Sequence, residues 1–382
     1  MTIMTKREAV LKILNREDPG RFVYAPNYWQ WFTHQKNHGL LPEEIAHCRE
    51  QLDCINYLGL DVFSRNTYSD PVNYWFGGLT ERVFDNVKVE KEVERENGDT
   101  VITLKYTTPK GSLEERLRYI FNDSTLVQEK HLVDDPETQL DIFEDLISRI
   151  SYRFLADRYD QEVERIGENG LPMAGEFFSP LKMMHIYLGP VETTYQLTDR
   201  EERFKPILQQ HEESQLKLLQ EMLDHGVLAS ISMDNLDAMF HPPQYVEAYS
   251  ASFYERASRM SHEKGSTFFI HACGQQKANL ELISSLGVDG LEGVAYPPLG
   301  DVELDEAMKM TGDRFIITGG ISAAETSTME DRESIFAYTK DLFRRMEPYR
   351  NRFMFSASCN TAIDTPWETI KLFKEAWEEY GT

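Results

Sequence analysis

Cysteine is scarce. Four cysteines in 382 residues, at positions 48, 54, 273 and 359, are too few for a disulfide framework. Long apolar runs are missing too, so no membrane-spanning helix is expected. The opening MTIMTKREAVLKIL lacks the apolar core of a secretion signal, and its apolar residues recur at helical spacing instead. A cytoplasmic location is the expectation. Positive charge is also in short supply. Lys plus Arg number 40 against 64 Asp plus Glu, for a net charge of -24. Such a surface repels phosphate backbones, so neither nucleic acid nor membrane is expected as a partner, and a polyanionic substrate would need cations gathered locally. No repeat, low-complexity tract or Gly/Ser linker interrupts the chain, which reads as one main domain over 1–382.

What is present is a core-forming pattern. Hydrophobic residues make up 41%, enough for a sizeable core. Short apolar runs at 172–178, 227–235, 266–274, 287–294, 314–320 and 352–360 alternate with segments of helical periodicity. Those segments are 199–225, 242–264, 275–286, 302–311, 331–347 and 366–380. This alternation predicts an α/β fold with a parallel sheet. A closed (β/α)8 TIM barrel fits best, with a doubly wound open sheet as the alternative. Nearer the start, 5–16 and 42–58 read as helices. Within 81–121, VKVEKEV and VITLKYT flank Asn97-Gly98, the signature of an inserted antiparallel β-hairpin.

The chemistry concentrates at three residues. His271 and Cys273 form an H-x-C pair at the end of an apolar run, where side chains two apart share a side. Cys359 ends another such run. In a barrel these strand ends converge on one face. One imidazole and two thiolates suit zinc and leave a fourth position for substrate. Buried packing of two cysteines and a core histidine is the other reading of the same residues. Cys48 and Cys54 lie on different faces of one helix and read as packing residues. Glu176, Asp234 and Glu292 close predicted strands and are open as zinc ligands, proton donors or partners orienting a ligand. Tyr28, Trp29, Trp31, Phe32, Tyr74 and Trp75 read as walls of an aromatic-friendly pocket or as core, and His34 follows them.

Several segments together resemble the uroporphyrinogen decarboxylase superfamily over nearly the whole chain. They are TKREAVLKILNREDPGR, IHACGQQKANLELISSLGVDGLEG with the later GDRFIITGGIS, and CNTAIDTPWETIKLFKEAWEEYG. The arginine-containing R-Q-A-G-R segment that grips a polycarboxylate in true decarboxylases has no counterpart here; the corresponding APNYWQWFTHQ has no arginine. The H-x-C and distant Cys resemble the zinc-dependent corrinoid methyltransferase branch, and SCNTAIDTPWE looks like its O-demethylating members. That resemblance implies zinc on His271, Cys273 and Cys359. It also implies a methyl aryl ether as substrate, and a cobalamin carried by a separate corrinoid protein, since this chain has no D-x-H-x-x-G motif. Glu176 or Asp234 would then serve catalysis, with Tyr28, Trp29, Trp31, His34, Trp75 and Glu292 around the substrate. A homodimer is open. The alternatives are a methylcobamide:thiol (coenzyme M-type) methyltransferase, a metal-free decarboxylase, and a non-catalytic zinc-stabilised binding protein.

Overall fold

The structure, a computed structural model, describes residues 4–65, 78–323, 329 and 331–382. Trp75 and Tyr74 therefore lie outside the described residues, as does the side chain of Glu176. The chain opens with α1 (Lys6–Leu14), β1 (Val23–Tyr24), α2 (Trp29–Asn37), α3 (Gln51–Leu58) and β2 (Val62–Ser64). Then come β3 (Thr80–Phe84), β4 (Lys88–Glu96), β5 (Asp99–Thr108), β6 (Gly111–Ile120), β7 (Thr125–Lys130), α4 (Pro136–Ile147), β8 (Ile150–Phe154) and α5 (Ala156–Ile166). The next stretch runs β9 (Gly170–Pro172), β10 (Ala174–Phe177), α6 (Pro180–Leu188), α7 (Pro190–Asp199), α8 (Glu201–Asp224), β11 (Ala229–Leu236), α9 (Pro243–Tyr249) and α10 (Ala251–Glu263). It ends with β12 (Thr267–Ala272), α11 (Leu280–Ser285), β13 (Gly290–Val294), α12 (Leu304–Met310), β14 (Ile316–Ile321), α13 (Arg332–Met346), β15 (Phe353–Ala357) and α14 (Trp367–Tyr380).

Local signals start the chain. Thr5 caps α1 by accepting from the Glu8 N–H, and the Glu8 carboxylate accepts from the Thr5 N–H, a reciprocal capping box. Ala9, Val10, Ile13 and Leu14 then pack with Phe63, Leu171 and Phe269.

Seven strands form one parallel sheet in the order β1-β15-β14-β13-β12-β11-β10. Its central strands are buried on both faces, which is why they read as continuous apolar runs rather than as alternation. β2 and β9 form a second parallel ladder of two strands. The expected ring of eight strands is thus not closed as one ladder. Single backbone hydrogen bonds bridge the gaps, from Asp61 N–H to Tyr24 O (3.0 Å) and from Met173 N–H to Ser64 O (3.0 Å).

The hairpin at Asn97-Gly98 is present, with both residues at positive φ (53° and 96°) as a tight two-residue turn requires. It belongs to a larger element than the expected 81–121. β4, β5, β6 and β7 form a four-stranded antiparallel sheet reaching Lys130, and β3 pairs separately with β8. β6 escaped the sequence reading because Glu and Arg fill it. Its Leu113, Glu115, Leu117 and Tyr119 nevertheless alternate inward. Tyr106 and Leu113 of this sheet share a core with Phe143 of α4 and Leu181 and Met184 of α6. Two helical expectations also change. The 42–58 segment is a 3-10 turn at Glu43–Ile45 followed by α3, and 242–264 is divided into α9 and α10 at Ser250. Among the described residues no helix is long and apolar enough to cross a membrane.

Candidate metal centre

His271 sits within β12, Cys273 one residue past its end, and Cys359 two past the end of β15. The sheet order places β13 and β14 between those strands. In a flat sheet three strand spacings would hold their ends about 14 Å apart. Instead Cys359 Sγ lies 3.5 Å from His271 Nε2, and the Cys359 and Cys273 thiols are near enough to shift each other's titration. The sheet must therefore curl strongly between β12 and β15.

The Cys359 backbone has φ 108°, a conformation an L-residue adopts at a cost and keeps only when its surroundings impose it. Those surroundings come from the aromatic segment. Asn27 Nδ2 donates to Cys359 O (2.8 Å) and to Asn360 Oδ1 (2.7 Å), while the Thr361 N–H donates to Asn27 O (3.0 Å). Behind it, Trp31 Nε1 donates to Thr365 O (2.8 Å) and Gln35 Nε2 to Ile363 O (2.8 Å). Asn27, two residues before α2, together with Trp31 and Gln35 of α2, thus fixes the Cys359 loop.

The His271 ring is oriented from behind. Glu292 bonds its Nδ1, which places the proton there and directs the Nε2 lone pair toward Cys359. Arg65 Nε donates to Glu292 (2.9 Å), and Arg65 Nη2 lies 3.5 Å from His271 Nε2. Burial alone would raise the Glu292 carboxyl, but Arg65 and His271 outweigh it and hold the pKa down to about 2. Burial and Arg65 push the His271 imidazole down, yet Glu292 and Cys359 carry the net shift upward. The neighbouring Cys359 lowers the Cys273 thiol to about 7 against its burial, and Cys273 together with burial pushes Cys359 up to about 12. One thiol of the pair is thus more acidic than a free cysteine and the other less.

Gly293 is what lets β13 approach this close. At φ 87° a Cβ there would lie 3.1 Å from His271 Cε1 and 3.2 Å from Cys359 N. Gly293→Ala is expected to lower stability by about 1–3 kcal/mol through overpacking, read in a denaturant titration, and to displace the His271 ring.

Among the described residues no group of three or more His, Cys, Asp or Glu side chains is preformed around a metal position. The contacts nonetheless fit zinc. A tetrahedral zinc with ordinary Zn–N and Zn–S bonds separates its nitrogen and sulfur ligands by about 3.5 Å. The His271–Cys359 separation is 3.5 Å. One thiol is already acidified, and the imidazole's other nitrogen is held by a carboxylate, as is usual for ligating histidines.

A cavity of about 330 Å³ opens beside Cys273, lined also by Gln128, Lys182, His185, Asn235, Asp237, Phe240 and His241. Gln128 comes from β7, so the inserted sheet contributes to this wall. Asp234 is fully buried and both its oxygens are engaged, Oδ1 by the Ser179 N–H (2.9 Å) and Oδ2 by the Tyr254 hydroxyl. Ser179 caps α6, accepting from the Lys182 N–H (3.2 Å). Asp234 thereby anchors the helix that carries Lys182. Burial raises the Asp234 carboxyl, and burial lowers the Lys182 ammonium against the pull of Asp234 and Cys273.

The remaining candidates sit elsewhere. Tyr28, Trp29, Trp31 and Phe32 are buried in the core. Tyr28 Oη is 3.3 Å from Tyr24 Oη, Trp31 stacks on Trp367 at 5.8 Å, and His34 stacks on His38 at 4.2 Å. None of these lines the cavity beside Cys273. Glu292, assigned to substrate from the sequence, has its carboxylate on His271 and Arg65. Sequence reasoning missed Arg65, Lys182 and His241. The available signal was a cation inside an otherwise apolar segment, as in FSPLKMMHIYL and LDVFSR.

Residues 138–380 match the family model described as uroporphyrinogen decarboxylase (URO-D). The chain belongs to the uroporphyrinogen decarboxylase family. All three candidate ligands of this URO-D protein fall inside the matched residues. Among solved structures it is similar to a methyltransferase from Methanosarcina mazei, with TM-score 0.63 and 14% identity over 99% of both chains. That likeness extends the shared fold beyond the URO-D match to the N-terminal segment and inserted sheet. A D-psicose 3-epimerase from Clostridium cellulolyticum H10 matches with TM-score 0.37 and 8% identity, over 59% of this chain and 83% of that one. No curated protein matches the sequence.

Proposed function

We propose that the protein is a zinc-dependent methyltransferase that demethylates a methyl aryl ether and passes the methyl group to a corrinoid carried by a separate protein. The observation that supports this reading is the 3.5 Å approach of Cys359 Sγ to His271 Nε2, with Cys273 nearby in the wall of a small-molecule cavity. We read the two parallel sheets as one (β/α)8 barrel, with β9 and β10 as a single interrupted strand and the curl between β12 and β15 as its curvature.

His271, Cys273 and Cys359 would hold the zinc, which when bound supplies a Lewis acid for the charge developing on the departing oxygen. Glu292 fixes the ring so that Nε2 is the ligating atom. The low Cys273 pKa makes a thiolate available near neutral pH without a strong external base. Asp234 positions α6, and Glu176, in β10 just before that helix, remains the candidate carboxylate for orienting the substrate. Ile186, Pro190 and Phe240 give the cavity its apolar wall. A corrinoid is too large for about 330 Å³, so it would have to be carried by a separate protein. It would supply the nucleophile that accepts the methyl group as the ether C–O bond breaks, and the departing phenolate would take its proton from solvent.

A second reading has a specific observation behind it. Lys182 lines the same cavity, and a cation there suits a thiol with an acidic tail, which would accept the methyl group from a methyl-corrinoid. The test mixes the zinc-loaded protein with a reduced corrinoid protein and a panel of methoxyarenes. Stoichiometric phenol release with methylation of the corrinoid is expected. No transfer from the panel, together with rapid demethylation of methylcobalamin by a thiol, replaces the first reading with the second.

A further inference from the structure

His241 is 1% exposed, and neither ring nitrogen has a hydrogen-bond partner. A buried imidazole in that state forfeits the hydration of two polar atoms, and the pull of the Asp237 backbone offsets only part of that against burial. Its ring packs edge-on against His185, with centroids 4.8 Å apart, and both line the cavity beside Cys273. Lys182 lines the same cavity and is itself 9% exposed. A buried ammonium and an unpartnered imidazole facing one cavity are complementary to a compact group of acceptor oxygens bearing negative charge. We propose that Lys182 and His241 form a subsite for the acidic group of the substrate, a carboxylate or sulfonate on the same small molecule whose methylated or methyl-accepting atom faces Cys273.

Burial keeps His185 and His241 neutral, with His185 lowered to about 3 by burial and Lys182, so His241 donates one N–H; burial lowers the Lys182 ammonium as well, and a bound anion would favour its charged form. Asp237 lines the cavity as well, and its Oδ1 accepts the Met239 N–H (2.9 Å). Its negative charge limits the ligand to a single acidic group, because a second would face a carboxylate. The size agrees. About 330 Å³ is at the small end of ligand sites and admits a substituted benzene or a short aliphatic chain.

The inference rests on the proposed function only in taking this cavity as the substrate site, and the test separates the two. Calorimetric titration of the zinc-loaded protein without any corrinoid would use 4-methoxybenzoate, uncharged methoxybenzene and 2-mercaptoethanesulfonate. One of the anions is expected to bind at least about tenfold more tightly than methoxybenzene. Lys182→Met and His241→Phe should each weaken that anion by about 10- to 100-fold, with methoxybenzene unchanged. Lys182→Arg and His241→Gln should recover part of the loss, which a merely structural defect would not. Preference for methoxybenzoate points to the ether, and preference for the sulfonate to the thiol. Anion binding that depends on Lys182 without methyl transfer upholds the subsite and removes the proposed function. Equal binding of neutral and anionic probes, no binding of either anion, or an anion affinity indifferent to both residues overturns the subsite.

Discussion

Cys359→Ala is expected to lose most of the zinc that the wild-type protein holds at about one per chain, and His271→Ala to lose both zinc and methyl transfer. A three-ligand site reduced to two has no chelate strong enough to survive dialysis. Cys359 is also the residue that relates the other two, since it contacts the His271 ring and shifts the titration of the Cys273 thiol. Cys48→Ala is the control. Cys48 is buried on the approach to α3, its sulfur 3.9 Å from His47 Nε2, and burial with Asp53 raises its thiol away from ligating form. It is expected to keep full zinc and activity. Metal analysis after dialysis checks all three variants. Undiminished zinc in Cys359→Ala would remove the assigned ligand and most of the mechanism with it.

The strands around this site were legible because burial on both faces writes a strand as an apolar run. The run at 266–274 is β12 over 267–272, and that at 314–320 is β14 over 316–321. The H-x-C pair was legible for the same reason, since the strand period puts both side chains on one side. Cys359 was harder. Nothing local says that a strand end three positions away in the sheet curls back onto β12; the barrel expectation placed both strand ends on one face, and the resemblance to a family strengthened that reading. The aromatic segment shows the reverse problem. Tyr28, Trp29 and Trp31 look alike as pocket walls or as core, because the difference lies in what packs against them. In the structure Trp31 meets Thr365 and Trp367 at the start of α14, and Tyr28 meets Tyr24 and Trp31. Arg65 and Lys182 were unreadable for a related reason. A cation beside an apolar run ordinarily marks the exposed end of an element, and these are buried only because Glu292 and the cavity receive them.

Arg65→Leu carries the largest expected loss of stability, about 3–5 kcal/mol, because it leaves the Glu292 carboxylate buried without its cation. Arg65 and Glu292 have side chains exposed by only 1% and 8%, so water cannot take over the charge. His271 remains as a partner for Glu292, but its single Nδ1 donor replaces only part of what the Arg65 guanidinium supplies. Removing both ends of the pair is predicted to be milder. Arg65→Leu with Glu292→Leu should recover a large part of the loss, since a buried ion pair replaced by apolar groups of similar volume is often close to neutral. The double variant should still bind zinc about 10- to 100-fold more weakly, because His271 Nδ1 has lost the acceptor that fixes its ring. Denaturant titration of the zinc-free proteins gives the first quantity and competition against a chelator the second. Arg65→Leu within about 1 kcal/mol of wild type would mean that the Glu292 charge is compensated by other groups, and the part assigned to Arg65 behind the metal centre would fall.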